Sequence, residues 1–121
     1  MSMMSIETII QEMIDICQKQ GVEHLILFGS FATNTALERS DIDFAVKGCK
    51  DILKLEDAVE KIETLRKIDV VDYDNVRNQY LKEDIERYGK QILDGLQQVL
   101  PLHTTVRERL VEQAAAFFER N

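Results

Sequence analysis

The sequence contains no tryptophan, one proline, two cysteines and five glycines in 121 residues. Together with 45% hydrophobic and 31% charged residues, this composition excludes a collagen-like or low-complexity chain and predicts a single folded domain over residues 1–121. Cys17 and Cys49 are too few for a disulfide framework, and they form no CxxC metal motif. A single bridge between them stays open, but reduced thiols are the simpler interpretation, and Cys17 continues an apolar helical stripe that predicts a core position.

Positive charge is scarce as well, since 15 lysines and arginines face 22 acidic residues and leave a net charge of −7. Duplex DNA and anionic membranes are bound by broad basic surfaces, so neither is an expected partner, although a local basic pocket is compatible with this charge. The longest apolar run, residues 114–118, is far shorter than the roughly 20 residues that span a bilayer. Glu7 and Gln11 interrupt the region where a signal peptide would be apolar. We therefore expect a soluble, cytoplasmic protein.

Hydrophobic periodicity predicts helices alternating with strands. Residues 6–20 carry apolar side chains at helical spacing and are followed by Gly21, a typical helix-ending residue. Further predicted elements are strands over 24–28, 41–46 and 67–73 and helices over 51–66, about 75–88 and 105–120, while 89–93 stays open between strand and helix. This order predicts an α/β or α+β domain with a small mixed sheet flanked by helices. The C-terminal helix within 102–121 is expected to pack on the domain or to mediate association.

Two aspartates share one face of the predicted strand 41–46. Asp41 and Asp43 alternate with apolar Ile42 and Phe44, so their side chains point the same way, roughly 6–7 Å apart along the strand. Asp69, in the next predicted strand, also points away from the apolar face. Three neighbouring carboxylates repel one another, and oxygen ligands suit hard cations, so the pattern predicts a site for two Mg²⁺ or Mn²⁺ ions about 3.5–4 Å apart.

The dipeptide Gly29-Ser30 lies where a buried strand turns into a short helical segment. Glycine allows a phosphate to approach the backbone closely, the start of a helix offers N–H groups, and the serine hydroxyl adds a donor. A phosphate-binding turn next to metal-binding acids fits a metal-bridged nucleoside triphosphate.

The segment FGSFATNTALERSDIDFAV contains Gly-Ser, a ten-residue spacer and Asp-x-Asp, and it is followed by Asp69. It resembles the signature of the DNA polymerase β nucleotidyltransferase superfamily, and most closely the minimal nucleotidyltransferases similar to antitoxin subunits of HEPN/MNT pairs. The resemblance implies a nucleotidyltransferase fold in which Asp41 and Asp43 ligate both Mg²⁺ ions. It implies that Asp69 ligates one ion and helps to deprotonate the acceptor, and that Gly29 and Ser30 hold the triphosphate.

The reaction that this resemblance implies is transfer of a nucleoside monophosphate, AMP from ATP in preference to another NTP, to a hydroxyl group. The implied acceptor is a helical HEPN-type partner protein, which would make the chain an antitoxin. Members of the family often have a basic residue directly after Gly-Ser and a glycine three positions further, where this chain has Phe31 and Asn34. Arg39 is the candidate replacement for the missing cation, and asparagine tolerates left-handed backbone.

Several alternatives stay open. The chain could be a catalytically weak or inactive binding and neutralising subunit of a two-protein complex, or a Mg²⁺-dependent phosphohydrolase that uses the same acids. Arg39 could be an ordinary surface residue, and the aspartates could lie on a solvated strand face. The sequence also leaves open a homo-oligomer.

Overall fold

The computed structural model describes residues 5–95 and 98–101, so the predicted helix over 105–120 lies outside the described part. The helices and strands of that part are α1 (Ile6–Gln20), β1 (His24–Phe28), β2 (Ile42–Lys47), α2 (Ile52–Glu60), β3 (Ile68–Asp72), α3 (Gln79–Tyr88) and β4 (Lys90–Leu93). The strands form one sheet in the order β3-β2-β1-β4, in which β2 and β3 are parallel and the other pairs are antiparallel. The predicted small mixed sheet with flanking helices is therefore confirmed.

Helix α1 has the predicted bounds because both of its ends carry strong local signals. The Ser5 side chain accepts a hydrogen bond from the backbone N–H of Thr8, and Gly21 ends the helix with a left-handed φ of 70°. Between these caps, Ile9, Met13 and Cys17 are completely buried against the sheet. Within the described ranges, each helix is too short or too polar to cross a lipid bilayer.

Helix α2 is shorter than predicted, because it ends at Glu60 and not near residue 66. The backbone N–H of Ile62 donates to the carbonyl of Val59 at 3.0 Å, which is the tighter hydrogen bond of a closing turn. The predicted continuation of the apolar stripe through Leu65 is wrong, since that side chain is 93% exposed. The chain leaves the helix early to enter β3, which begins opposite Ile42.

Helix α3 also differs from the prediction, because it begins at Gln79 and not near residue 75. Val76 is extended, and the side chain of Asn78 caps the helix by accepting hydrogen bonds from two backbone N–H groups of the first turn. A short 3₁₀ turn, Tyr73–Asn75, follows β3, and residues 76–78 of the predicted first helical turn are not helical. The segment left open between strand and helix is β4, and it pairs with β1.

The alternation in β2 separates the two faces of the sheet. Ile42, Phe44 and Val46 belong to the main core with α1 and α2, as predicted. On the opposite face, Ala45 packs with residues of β1 and with Ile85 of α3 in a smaller cluster. Asp43 lies two residues before Ala45 in β2, so its side chain is on the same face of the sheet as Ala45 and α3.

Cys17 and Cys49 are both free thiols, which confirms the simpler interpretation of the two cysteines. Burial raises the pKa of Cys17 to about 12, with a further contribution from the nearby Cys49.

Alkylation requires the thiolate, so iodoacetamide at pH 8 should modify half-buried Cys49 first and reach Cys17 only at the rate of unfolding. Mass spectrometry over time on wild type and Cys49→Ser tests this, and equal alkylation rates for both thiols in the native protein would contradict it.

Candidate active site

The register of the strands places Asp41, Asp43 and Asp69 at one end of the sheet, which we call the acid edge. Asp43 is the direct partner of Phe28 across the β1–β2 pair and of Asp69 across the parallel β2–β3 pair. Neighbouring strands lie about 4.8 Å apart, and side chains at paired positions of two neighbouring strands share a face. Asp41 lies directly before β2, two residues from Asp43. The structure thus brings all three predicted acids together beside the end of β1.

The charges around Asp43 act on its carboxyl group. Partial burial raises the pKa of Asp43, and the charges of Asp69 and Asp41 raise it further. Lys67 acts in the opposite direction, and its ammonium Nζ lies 3.6 Å from Oδ1 of Asp69. The edge is therefore a concentration of negative charge that is only partly balanced by a lysine whose side chain is largely exposed.

The donor set fits a hard divalent cation, because three carboxylates supply only oxygen ligands. In residues 5–95 and 98–101, however, no three potential ligands already form a group that could hold a metal ion. One carboxylate, that of Asp69, is engaged by Lys67. The identity of the ligands and the strand register therefore suit a divalent cation.

Gly29 is required by both its backbone and its surroundings. Its φ is +72°, and a Cβ added there would lie 2.3 Å from Oδ2 of Asp43. Any side chain would therefore displace the carboxylate. Gly29 and Ser30 start the 3₁₀ turn Gly29–Phe31. The backbone N–H groups of Ala32 and Thr33 donate to the carbonyl of Gly29 at 3.0 and 3.3 Å and close this turn. A group bound on this turn would lie next to Asp43.

Asn34 has a left-handed φ of 59°, at the position where the resemblance expects a glycine. Asparagine adopts this conformation more readily than other residues with a side chain. We expect Asn34→Ala to lower the free energy of unfolding by about 1 kcal/mol. Asn34→Gly should change it by only about 0.3 kcal/mol. Urea denaturation of both variants measures this, and an alanine variant as stable as wild type would contradict the structural assignment.

Phe31 does not occupy the acid edge. Its half-buried ring packs against the main core under α1 and α2, which lies on the sheet face opposite Asp43. The guanidinium carbon of Arg66 lies 5.2 Å from the centre of this ring, and its Nη1 donates to the carbonyl of Ser40 at 2.7 Å. Sequence reasoning did not single out Arg66, and the signal that pointed toward it is its position two residues before the strand that carries Asp69.

A cleft of about 500 Å³ adjoins Asp41. It is lined by Glu38, Arg39, Asp41, Leu65, Arg66 and Lys67. The cleft thus joins one of the predicted acids to three cationic side chains, which form a local basic pocket in an acidic chain. Arg39, predicted as a substrate-binding residue, lies in this cleft with an exposed side chain, and it forms no ion pair with any residue that the structure describes.

The sequence model of the family described as "Polymerase beta, Nucleotidyltransferase" matches residues 11–97. This range covers most of the chain and includes the Gly-Ser turn and all three acids. The chain therefore belongs to the polymerase beta nucleotidyltransferase family and is a nucleotidyltransferase.

Individual relatives agree with this family. A protein of Methanocaldococcus jannaschii that bears the name protein adenylyltransferase is 33% identical over 78 residues, which cover 60% of this chain and 83% of that protein. Among solved structures, a toxin-antitoxin with AMP-PNP is similar in fold, with a TM-score of 0.57 and 21% identity over 90% of this chain and 86% of the other. The toxin-antitoxin MntA-HpeT mutant D39ED41E has a TM-score of 0.56 and 19% identity over the same shares. These two structures support the nucleotidyltransferase fold.

Proposed function

We propose that this chain transfers AMP from ATP to a hydroxyl group of a partner protein, in a reaction that depends on Mg²⁺. The observation that carries the proposal is the register of Asp43 beside Asp69, directly against the backbone of Gly29. The family is that of nucleotidyltransferases, and one relative is named a protein adenylyltransferase. One structural neighbour was solved with AMP-PNP, an ATP analogue, which favours ATP as the donor.

Each site residue has a role that its position supports. Gly29 and Ser30 hold the triphosphate on the turn after β1, and Arg39 adds positive charge from the cleft. Asp41, Asp43 and Asp69 would hold two divalent ions, for which Mg²⁺ is the natural choice and Mn²⁺ a substitute. The bound ions would stabilise the charge that develops on the entering and leaving oxygens.

The transfer itself exchanges one phosphorus–oxygen bond for another. A bond forms between the acceptor oxygen and the α-phosphorus of ATP, and the bond from this phosphorus to the bridging oxygen breaks, so that pyrophosphate leaves. The carboxylate of Asp69, at the outer side of the acid edge, takes the proton of the acceptor hydroxyl. Correct placement of the two reactants supplies much of the rate, since the chain needs to form no covalent intermediate.

The acceptor that we propose is a helical HEPN-type protein, so that the chain acts as the antitoxin of a pair. The structural neighbours support this choice, because they are toxin-antitoxin complexes. For residues 102–121, packing on the domain and contact with this partner are both still predictions.

Label transfer tests the proposal. The purified chain, Mg²⁺ and the candidate partner are incubated with ATP labelled on the α-phosphate, and the proteins are separated on a denaturing gel. We expect label on the partner, none when the γ-phosphate carries the label, and none when EDTA is added. Label from γ-labelled ATP would indicate a kinase instead of a nucleotidyltransferase.

Two results would favour the alternative functions. A chain that binds and neutralises its partner without transferring label, and whose Asp43→Asn variant still neutralises, is a binding subunit. A chain that releases AMP or phosphate from ATP without any acceptor, as seen by thin-layer chromatography, is a phosphohydrolase.

A further inference from the structure

We propose that Arg66, held in place by the ring of Phe31 and the carbonyl of Ser40, binds the triphosphate of ATP. It thereby replaces the basic residue that is absent directly after Gly29-Ser30. This inference rests on the proposed function and names the phosphate-binding side chain of that site.

The charge of the site creates the need for such a residue. The triphosphate must bind next to three carboxylates in a chain whose net charge is −7. The adjoining cleft offers three cations, but Lys67 is engaged with Asp69 at 3.6 Å. Arg39 has an exposed side chain, and no ion pair holds it among the residues that the structure describes. Arg66 is the half-buried member of the three.

Arg66 is also preorganised for an anion. A guanidinium carries about five N–H donors, and one of them is used by Ser40 at 2.7 Å while the ring of Phe31 supports one flat side. Glu38 and Asp41 line the same cleft, but in the described ranges neither forms an ion pair with Arg66. The remaining donors can therefore be directed at phosphate oxygens, with little side-chain entropy left to lose.

The two contacts of Arg66 are with chain segments that adjoin the phosphate-binding turn and the acids. Phe31 directly follows Ser30 in the same 3₁₀ turn, and Ser40 directly precedes Asp41 and β2. The guanidinium therefore lies at the end of the sheet where the Gly-Ser turn and the acids lie, in a cleft that Asp41 also lines. Phe31 thus acts as a positioning residue, and its substitution should weaken ATP binding because Arg66 loses the ring that supports it.

Calorimetric titration with ATP and with AMP, in Mg²⁺ and without any acceptor, tests this inference. Because a charge-assisted hydrogen bond is lost, Arg66→Ala should bind ATP about 10-fold or more weakly while its affinity for AMP changes by less than about 2-fold. Phe31→Leu, which keeps an apolar side chain but removes the ring face, should weaken ATP binding by a smaller factor, and Phe31→Tyr should restore it. The matched control is Arg77→Ala, an exposed arginine between β3 and α3 outside the cleft, which should leave both affinities unchanged.

Each other outcome has a defined meaning. Wild-type affinity of Arg66→Ala for ATP would overturn the inference and leave the proposed function intact, as would an equal loss of ATP and AMP binding. A variant with normal ATP binding but a raised KM for the protein acceptor would assign the cleft to the acceptor. If wild type binds no ATP, both the inference and the proposed function fail. Should Arg66→Ala not fold, as judged by thermal melting, Arg66→Gln and Arg66→Lys decide by the same comparison.

Discussion

Replacing Asp43 with asparagine should abolish most AMP transfer, with a loss on the order of 10²- to 10³-fold in kcat. Asp43 is the central acid of the edge, since it pairs in register with Asp69 and is contacted by the backbone turn at Gly29. Asparagine has nearly the same shape but carries no charge, so the variant removes the electrostatic role and preserves the packing.

The stability of Asp43→Asn shows whether a loss of activity comes from the missing charge or from unfolding. Burial and neighbouring carboxylates raise the pKa of Asp43, so its charged form is disfavoured in the folded state. At neutral pH, Asp43→Asn should therefore melt at the same temperature as wild type or higher. The control is Asp57→Asn, at an exposed position of α2 paired with Lys61, which should keep full activity. Transfer activity of Asp43→Asn within a few-fold of wild type would remove the acids from the mechanism.

Replacing Gly29 with alanine should lower both stability and activity. The left-handed φ of +72° disfavours any residue with a Cβ by about 1–2 kcal/mol, and the added Cβ would lie 2.3 Å from Oδ2 of Asp43. The carboxylate must move away to relieve this overlap, and we expect AMP transfer to fall at least about 100-fold, as when a preorganised charge is displaced.

Gly21 provides a matched control for the backbone effect. Its φ is +70°, and a Cβ added there would meet no atom within 4 Å. Gly21→Ala should therefore lose a similar free energy of unfolding, measured by urea denaturation, and keep its activity. Equal activity losses in the two variants would mean that destabilisation, and not the contact with Asp43, accounts for the effect.

Local signals made much of the fold predictable from the sequence. Helix α1 has clear caps at both ends, and β2 alternates so regularly that the face of Asp43 follows from period two alone. The proximity of Asp69 was suggested by its position in a later strand, but only the parallel pairing of β2 with β3 places it opposite Asp43. Such a pairing between distant segments is a tertiary property that periodicity does not contain.

The errors concern places where tertiary structure overrides local pattern. The apolar residues after Glu60 fit a helical stripe, yet α2 ends there because the chain must reach the start of β3. Arg66 could not be assigned from sequence for a similar reason. Its contacts, Phe31 and Ser40, are 35 and 26 positions away and meet it only when β3 joins the sheet. The absence of a basic residue after Gly-Ser was visible in the sequence, whereas Arg66, the replacement that we propose, was not.

We propose that Asp41, Asp43 and Asp69 together bind divalent ions beside the Gly29–Ser30 turn. A crystal structure with Mn²⁺ and an ATP analogue that cannot be cleaved between the α- and β-phosphates tests it most directly, because manganese is located by its anomalous scattering. We expect two manganese peaks between the three carboxylates, with the triphosphate of the analogue on the turn. Bound analogue with no manganese among these acids, or manganese held elsewhere in the chain, would contradict the account.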